Sequence, residues 1–263
     1  MMQMVHSRFN ALLSACVLSL IATASWSQSI TWLGTLGGHW SEAYGVSDNG
    51  VVVGYAINGA GQRRAFRWQN GVMQDLGTLG GNQSWAYGVS ADGSVVVGWA
   101  DNAAGQRRAF RWTASGGMRD LGTLGGIGSI AWDVSADGAV VVGGATNAAG
   151  QPRAFRWTAS GSMEDLNTTY ASQLTDGSVL YEALAISPDG RYIVGWGYNA
   201  ATNRNEAFLL DTRCTAHNGD VDANGCVDVT PTCSPCCLRL AARAAPWDAK
   251  TPTATARLMT RTC

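Results

Sequence analysis

The densest set of metal-type ligands lies near the C-terminus, where residues 214–230 read CTAHNGDVDANGCVDVT. Asp220, Asp222, Asn224 and Asp228 occupy positions 1, 3, 5 and 9 of a calcium loop. Gly225 sits at position 6 for the sharp turn, and Cys226 offers its carbonyl at position 7. Hard oxygen donors at this spacing fit Ca2+. Position 12 should supply a carboxylate but is Pro231, so the loop is incomplete and should hold calcium poorly. A softer set, Cys233, Cys236 and Cys237, suggests zinc, but it lacks a second well-spaced ligand pair and Pro235 interrupts it. Cys214 and Cys226 are a candidate disulfide in an oxidising compartment.

Two further positions could do chemistry by breaking a pattern. Trp85 stands where Glu42, Ile130 and Glu182 stand in equivalent stretches, and an exposed indole there can stack on a sugar ring. Asp133 stands where Gly45 and Gly88 do; with Asp176 it supplies the carboxylates that a polysaccharide hydrolase or lyase would need. For nucleophilic catalysis, only His39 and His217 come after the N-terminal segment, and neither sits with a Ser or Cys in a recognisable arrangement. The stretch LGTLGG fits no phosphate loop, because it opens no helix. The leading expectation is therefore a non-catalytic protein, with catalysis as the rival.

These positions are defined by a repeat. LGTLGG recurs at 33–38, 76–81 and 121–126, and (D/N)G-x-VVVG at 49–54, 92–98 and 137–143. RAFRW recurs at 64–68, 108–112 and 153–157, then decays to EAFLL at 206–210. Leu33 to Leu76 spans 43 residues, and Leu76 to Leu121 and Leu121 to Leu166 span 45 each, a period typical of propellers and solenoids. Each unit predicts four short strands: AYGVS (86–90), SVVVGWA (94–100), RAFRWT (108–113) and MRDLGTL (118–124). The Asp-Gly turn after the first strand is a strong hairpin signal, since Gly tolerates positive φ.

The expected fold is thus all-β, a propeller-like array of about four four-stranded units near 39–81, 82–126, 127–166 and 167–213. The strand at 30–36 is expected to complete the last unit and close the ring, with an open stack as the alternative. Arg67, Arg111 and Arg156 should pair across strands with Asp75, Asp120 and Asp165 as scaffold. Phe66, Phe110 and Phe155, with Trp68, Trp112 and Trp157, should fill the space between units. Arg63, Arg107 and Arg153 are expected in polar turns on one rim. The last unit carries an insertion between Leu166 and Tyr181, either a decayed repeat or a binding loop.

Bulk composition narrows the partners. Charged residues are 14% of the chain and formal net charge is −1, which argues against nucleic acid. Residues 1–27 read as a signal peptide: His6 and Arg8 precede the apolar run at 11–24, then small residues. A lipobox reading of Leu13-Ser14-Ala15-Cys16 is the minor alternative. No later apolar stretch is long enough for a transmembrane anchor, so the mature chain, cleaved after Ala24 or Ser27 and carrying its repeat domain at 29–213, is expected outside the cell or on its surface. Polysaccharide or a surface protein is the expected partner.

LGTLGG, GVSADGSVVVGWA and RAFRW together resemble the HAF family of extracellular repeats, over roughly 30–211. The family's tripeptide corresponds to Arg64-Ala65-Phe66. The resemblance implies a secreted bacterial protein and a repeat architecture; it implies no activity, because the family has none established. Residues 214–230 look like the start of a dockerin-type repeat. The tail at 231–263 differs in composition, with four of the seven Cys and the single Lys, Lys250. With G/C-ending codons, a neighbouring reading frame of this tail gives Asp at position 12, an apolar helix and a second calcium loop. The tail is therefore expected to be an out-of-frame dockerin-like pair, disordered as translated.

Overall fold

The computed structural model describes residues 28–213. The signal-peptide, calcium-loop, zinc, disulfide and tail readings therefore lie outside the described residues. The chain divides into two units, residues 1–33 and 34–263. Residues 28–33 form no strand or helix, and every described strand belongs to the second unit.

Fifteen strands make four antiparallel meanders. The first sheet comprises β1 (Gly37–Val46), β2 (Val52–Asn58), β3 (Arg63–Gln69) and β4 (Val72–Asp75). The second has β5 (Gly80–Val89), β6 (Val95–Asn102), β7 (Arg107–Thr113) and β8 (Gly117–Asp120). The third has β9 (Gly125–Val134), β10 (Val140–Asn147), β11 (Pro152–Thr158) and β12 (Ser162–Asp165). The fourth has three strands, β13 (Val179–Ile186), β14 (Tyr192–Asn199) and β15 (Arg204–Asp211), and no closing strand among the described residues. The expected strand at 30–36 does not form, so the ring is not closed by it; Leu36 makes only an isolated bridge to Asn58. The all-β, propeller-like array stands, and among the described residues no strand pairing closes it.

LGTLGG explains the failure. It is a connector, and strand four of each of the first three sheets stops at Asp75, Asp120 or Asp165 before reaching it or its decayed copy. Gly77 and Gly80 take φ of +80° and +101°, and Gly122 and Gly125 take +85° and +97°, values that L side chains resist. Thr78 Oγ1 donates to Gly81 O at 2.9 Å across the turn, and Asp75 Oδ1 accepts from Gly77 N at 2.8 Å. Gly34, Gly37 and Thr35 repeat the arrangement at the head of β1. The first strand of each later full sheet therefore begins at the glycine pair, Gly80 or Gly125, earlier than the alternating AYGVS pattern suggested.

Each sheet packs its first strand over strands two and three of the preceding sheet, and the core is the apolar space between. Val51, Val53 and Ala65 meet Ala86, Val96 and Phe110; Val95, Val97 and Ala109 meet Ala131, Val141 and Phe155. The expected aromatic filling holds for five of its six residues: Phe66, Phe110 and Phe155 are fully buried and Trp112 and Trp157 are buried, whereas Trp68 is half-buried. Polar links bind the layers as well. Ser84 Oγ, fully buried, accepts from Ala65 N (2.9 Å) and donates to Gly77 O (2.6 Å), and Ser129 does the same with Ala109 and Gly122. The hairpin turns form a ladder: Asp48 N donates to Ala91 O, Ala91 N to Ala136 O, and Ala136 N to Pro188 O, at 3.0–3.1 Å. Pro188 has no N–H, so the ladder ends there.

The arginines of RAFRW pair differently from the expectation. Arg67 Nε donates to Gly93 O in the next sheet's turn (3.1 Å), and Arg111 does so to Gly138 O. Asp75 and Asp165 instead face Arg64 and Arg153, at 4.0 and 3.7 Å, and Arg156 binds Glu164. The reason is register: Phe66 and Phe110 stand opposite Asp75 and Asp120, so the arginine one residue further on points to the other face.

Candidate functional site

A β-bulge in strand one of every sheet builds the site. Ala86 pairs with Gly98 and Gly88 with Val97, which leaves Tyr87 as the extra residue; Tyr44, Trp132 and Leu184 are its equivalents. The glycine of VVVG is required here. A Cβ on Gly54, Gly98 or Gly195 would lie 1.9 Å from the strand-one carbonyl of Glu42, Trp85 or Glu182. The bulge residues meet from sheet to sheet: Tyr44 and Tyr87 rings are 5.3 Å apart, Tyr87 and Trp132 4.8 Å.

A second row of rings runs beside the first. Glu42, Trp85, Ile130 and Glu182 stand opposite Tyr55, Trp99, Gly144 and Trp196 on strand two. Trp85 stacks on Trp99 with centroids 4.3 Å apart and planes 20° apart, and meets Tyr55 at 5.2 Å. Tyr55 lies 6.2 Å from Tyr44, so six rings from three sheets form one connected surface. Trp85 is half-buried within it, not an isolated exposed plate. Tyr44 is 47% exposed, and Trp40 51%.

Charged groups edge the rings. Glu42 accepts from Tyr44 Oη (2.6 Å), Trp40 Nε1 (2.9 Å) and Tyr55 Oη (3.3 Å). The Tyr44 and Trp40 bonds hold its carboxyl below the ordinary value, while burial and then the hydrogen bond to Glu42 push the Tyr44 phenol up. The Arg107 guanidinium lies 4.1 Å from the Trp99 ring centre, and Arg63 lies 5.6 Å from Trp85. Arg153, expected on the same rim, belongs to another set: the residue aligned with Arg63 and Arg107 is Pro152, and Arg153 pairs with Asp165.

Gly144 interrupts the second row. Where Tyr55, Trp99 and Trp196 carry rings, a cavity of about 200 Å³ opens, lined by Ile130, Gly144, Arg107, Tyr181 and Glu182 among others. Trp196, beyond it, meets Tyr181 at 5.1 Å and donates to Glu182 at 3.4 Å. The gap thus has a ring system on each side and one carboxylate and one guanidinium at its walls.

Asp133 does not face this surface as a free carboxylate. Its Oδ1 accepts from Val134 N (2.8 Å) and its Oδ2 from Ile186 N (3.0 Å), which ties the third sheet to the fourth. Burial raises its pKa in spite of both bonds. Asp176 lies elsewhere, capping Ser178 N at 2.9 Å, with its pKa lowered by that bond, and it lines a separate cavity with Leu174 and Tyr198. The Leu166–Tyr181 insertion forms α1 (Leu166–Thr169) and a 3-10 turn (Ala171–Gln173). Asn167 fastens it by bonding both Leu180 O and Leu180 N. The two carboxylates expected for catalysis are therefore dispersed over two places.

Sequence reasoning found Trp85 but missed Tyr44, Tyr55 and Tyr87 as its neighbours. The signal was present: an aromatic comes directly after Ala at 43–44, 86–87 and 131–132.

No protein-family model matches the chain, and no curated protein matches it in sequence. Among solved structures it is similar to a protein described as a TolB from Agrobacterium tumefaciens, at 15% identity and a TM-score of 0.49. That match covers 65% of this chain and 62% of the other. TolB from Acinetobacter baumannii aligns at 12% identity and a TM-score of 0.44, over 65% of this chain and 41% of that one. The chain thus spans less than two thirds of either protein.

Proposed function

We propose that this is an exported, non-catalytic module that binds polysaccharide along its aromatic surface. One observation carries the reading: six rings from three sheets form a connected, partly exposed strip edged by Glu42, Arg63 and Arg107. The C–H-rich face of a sugar ring packs on an aromatic face, while carboxylate and guanidinium groups at the edge bond its hydroxyls. A strip that repeats from sheet to sheet suits a repeating polymer better than one small molecule. Export rests on the apolar run at 11–24 and the residues around it.

The test is affinity electrophoresis through gels holding soluble polysaccharides of different linkage, with pull-down on insoluble ones. Wild type should be retarded by at least one polymer, and Trp85→Ala should weaken that retardation about tenfold, the loss of one stacked ring. Retardation by no polymer, or equal retardation of Trp85→Ala, would overturn the reading. Turnover of a polymer at ordinary enzyme rates would overturn its non-catalytic part.

A further inference from the structure

The two ends of the array carry opposite halves of an interface that the chain builds three times internally. At each internal joint, the trailing face of one sheet contributes a valine and an alanine, fully buried: Val53 and Ala65, Val97 and Ala109, Val142 and Ala154. The fourth sheet has the same positions as Val194, 41% exposed, and Ala207, also exposed. Leu209, at the position of Arg67, Arg111 and Arg156, is 67% exposed. At the other end, Ala86, Ala131 and Ala183 are fully buried on the leading faces, whereas their equivalent Ala43 is exposed. Val46 is 69% exposed where Val134 and Ile186 are buried.

The polar half-sites match too. Ser41 Oγ donates to Gly34 O at 2.7 Å, as Ser84 does to Gly77 O and Ser129 to Gly122 O. Ser84 and Ser129 also accept an alanine N–H from the preceding sheet. Ser41 is set for the same bond, and the equivalent donor in the chain is Ala207 N, on the exposed trailing face. Leading and trailing surfaces are therefore complementary at these positions, and no strand pairing joins the first and fourth sheets among the described residues.

We infer that the chain associates head to tail with a second copy of itself, the first sheet of one copy stacking on the fourth sheet of the next. This interface is heterologous: its two surfaces differ, so it closes a ring or extends a filament. It continues the internal joints with two changes. Pro188 cannot donate to the next copy's turn, and Leu209 replaces the arginine that would reach that turn. The joint loses two polar links and gains apolar contact, so it forms reversibly with concentration.

Sedimentation velocity of the full mature chain over a hundredfold concentration range tests this. Wild type should shift to larger species as concentration rises. Leu209→Asp spoils only the trailing face and Val46→Asp only the leading face, and each variant alone should stay monomeric. Their equimolar mixture retains one intact pair of faces and should give a one-to-one dimer and nothing larger. Both positions are solvent-exposed in the single chain, so circular dichroism should match wild type and separates lost association from lost folding. A monomeric wild type, which would mean the faces are covered within one chain, overturns the inference. Association of either variant alone, or a mixture that stays monomeric, does so as well.

Discussion

Removing one hydroxyl from equivalent positions of the repeat should have very unequal effects. Ser84 and Ser129 are 0% and 3% exposed, and each Oγ serves a backbone N–H and a backbone carbonyl from different segments. Alanine at either site orphans two buried backbone groups at about 1–3 kcal/mol each, partly relieved by local shifts, so a loss of about 2–4 kcal/mol is expected. For a domain of this size that lowers Tm by about 4–16 °C. Ser41 makes only the carbonyl bond, at a solvent-exposed site, so Ser41→Ala should stay within about 0.5 kcal/mol. Urea unfolding monitored by tryptophan fluorescence measures all three. It should be run in the Leu209→Asp background, where head-to-tail stacking cannot bury Ser41. A cost below about 1 kcal/mol at both Ser84 and Ser129, or an equal cost at Ser41, would refute the claim that these hydroxyls bind sheet to sheet.

Gly98→Ala places a Cβ 1.9 Å from Trp85 O and should cost more than about 4 kcal/mol, seen as loss of soluble folded protein. Gly105→Ala, at φ +72° in open space, should cost only about 1 kcal/mol, from backbone strain alone. Burial holds the Asp133 pKa above its ordinary value, so the folded state binds that proton more tightly than the unfolded chain. Its contribution is then favourable in acid and is lost as pH rises from the unfolded value through the folded one. Asp133→Asn should remove this downward slope from urea-derived stabilities between about pH 3 and 7, and an unchanged or upward slope there would contradict it. Asp92 is held at about 2, first by Ser90 Oγ and then by Ser94. Ser90→Ala should raise it toward the ordinary carboxylate range in an NMR titration.

Periodicity alone determined the all-β class, four units, the hairpin turns at Asp-Gly and the burial of Phe66, Phe110, Phe155, Trp112 and Trp157, because each depends on residues within one repeat. A 45-residue unit that cannot bury its own faces must stack on its neighbours, and that logic is visible in the letters. Register was not. A bulge that shifts strand one by one residue aims Tyr44, Tyr87 and Trp132 along one edge, and alternation gives no sign of it; the pairing of Phe66 with Asp75 sends Arg67 to the next sheet. The fourth-strand reading MRDLGTL ran into LGTLGG, yet positive φ at the glycines of that motif makes it a connector. Closure was likewise undecidable from pattern: an N-terminal copy of a connector resembles a missing strand until its backbone is traced. Trp85 stood out by identity, but its role came from Trp99 on the next strand and Tyr55 in the preceding sheet. Asp133 stood out as well, and only packing revealed that its charge is held by two backbone N–H groups. Local rules set the elements; which faces meet, and which stay bare at the ends, is decided where one repeat touches the next.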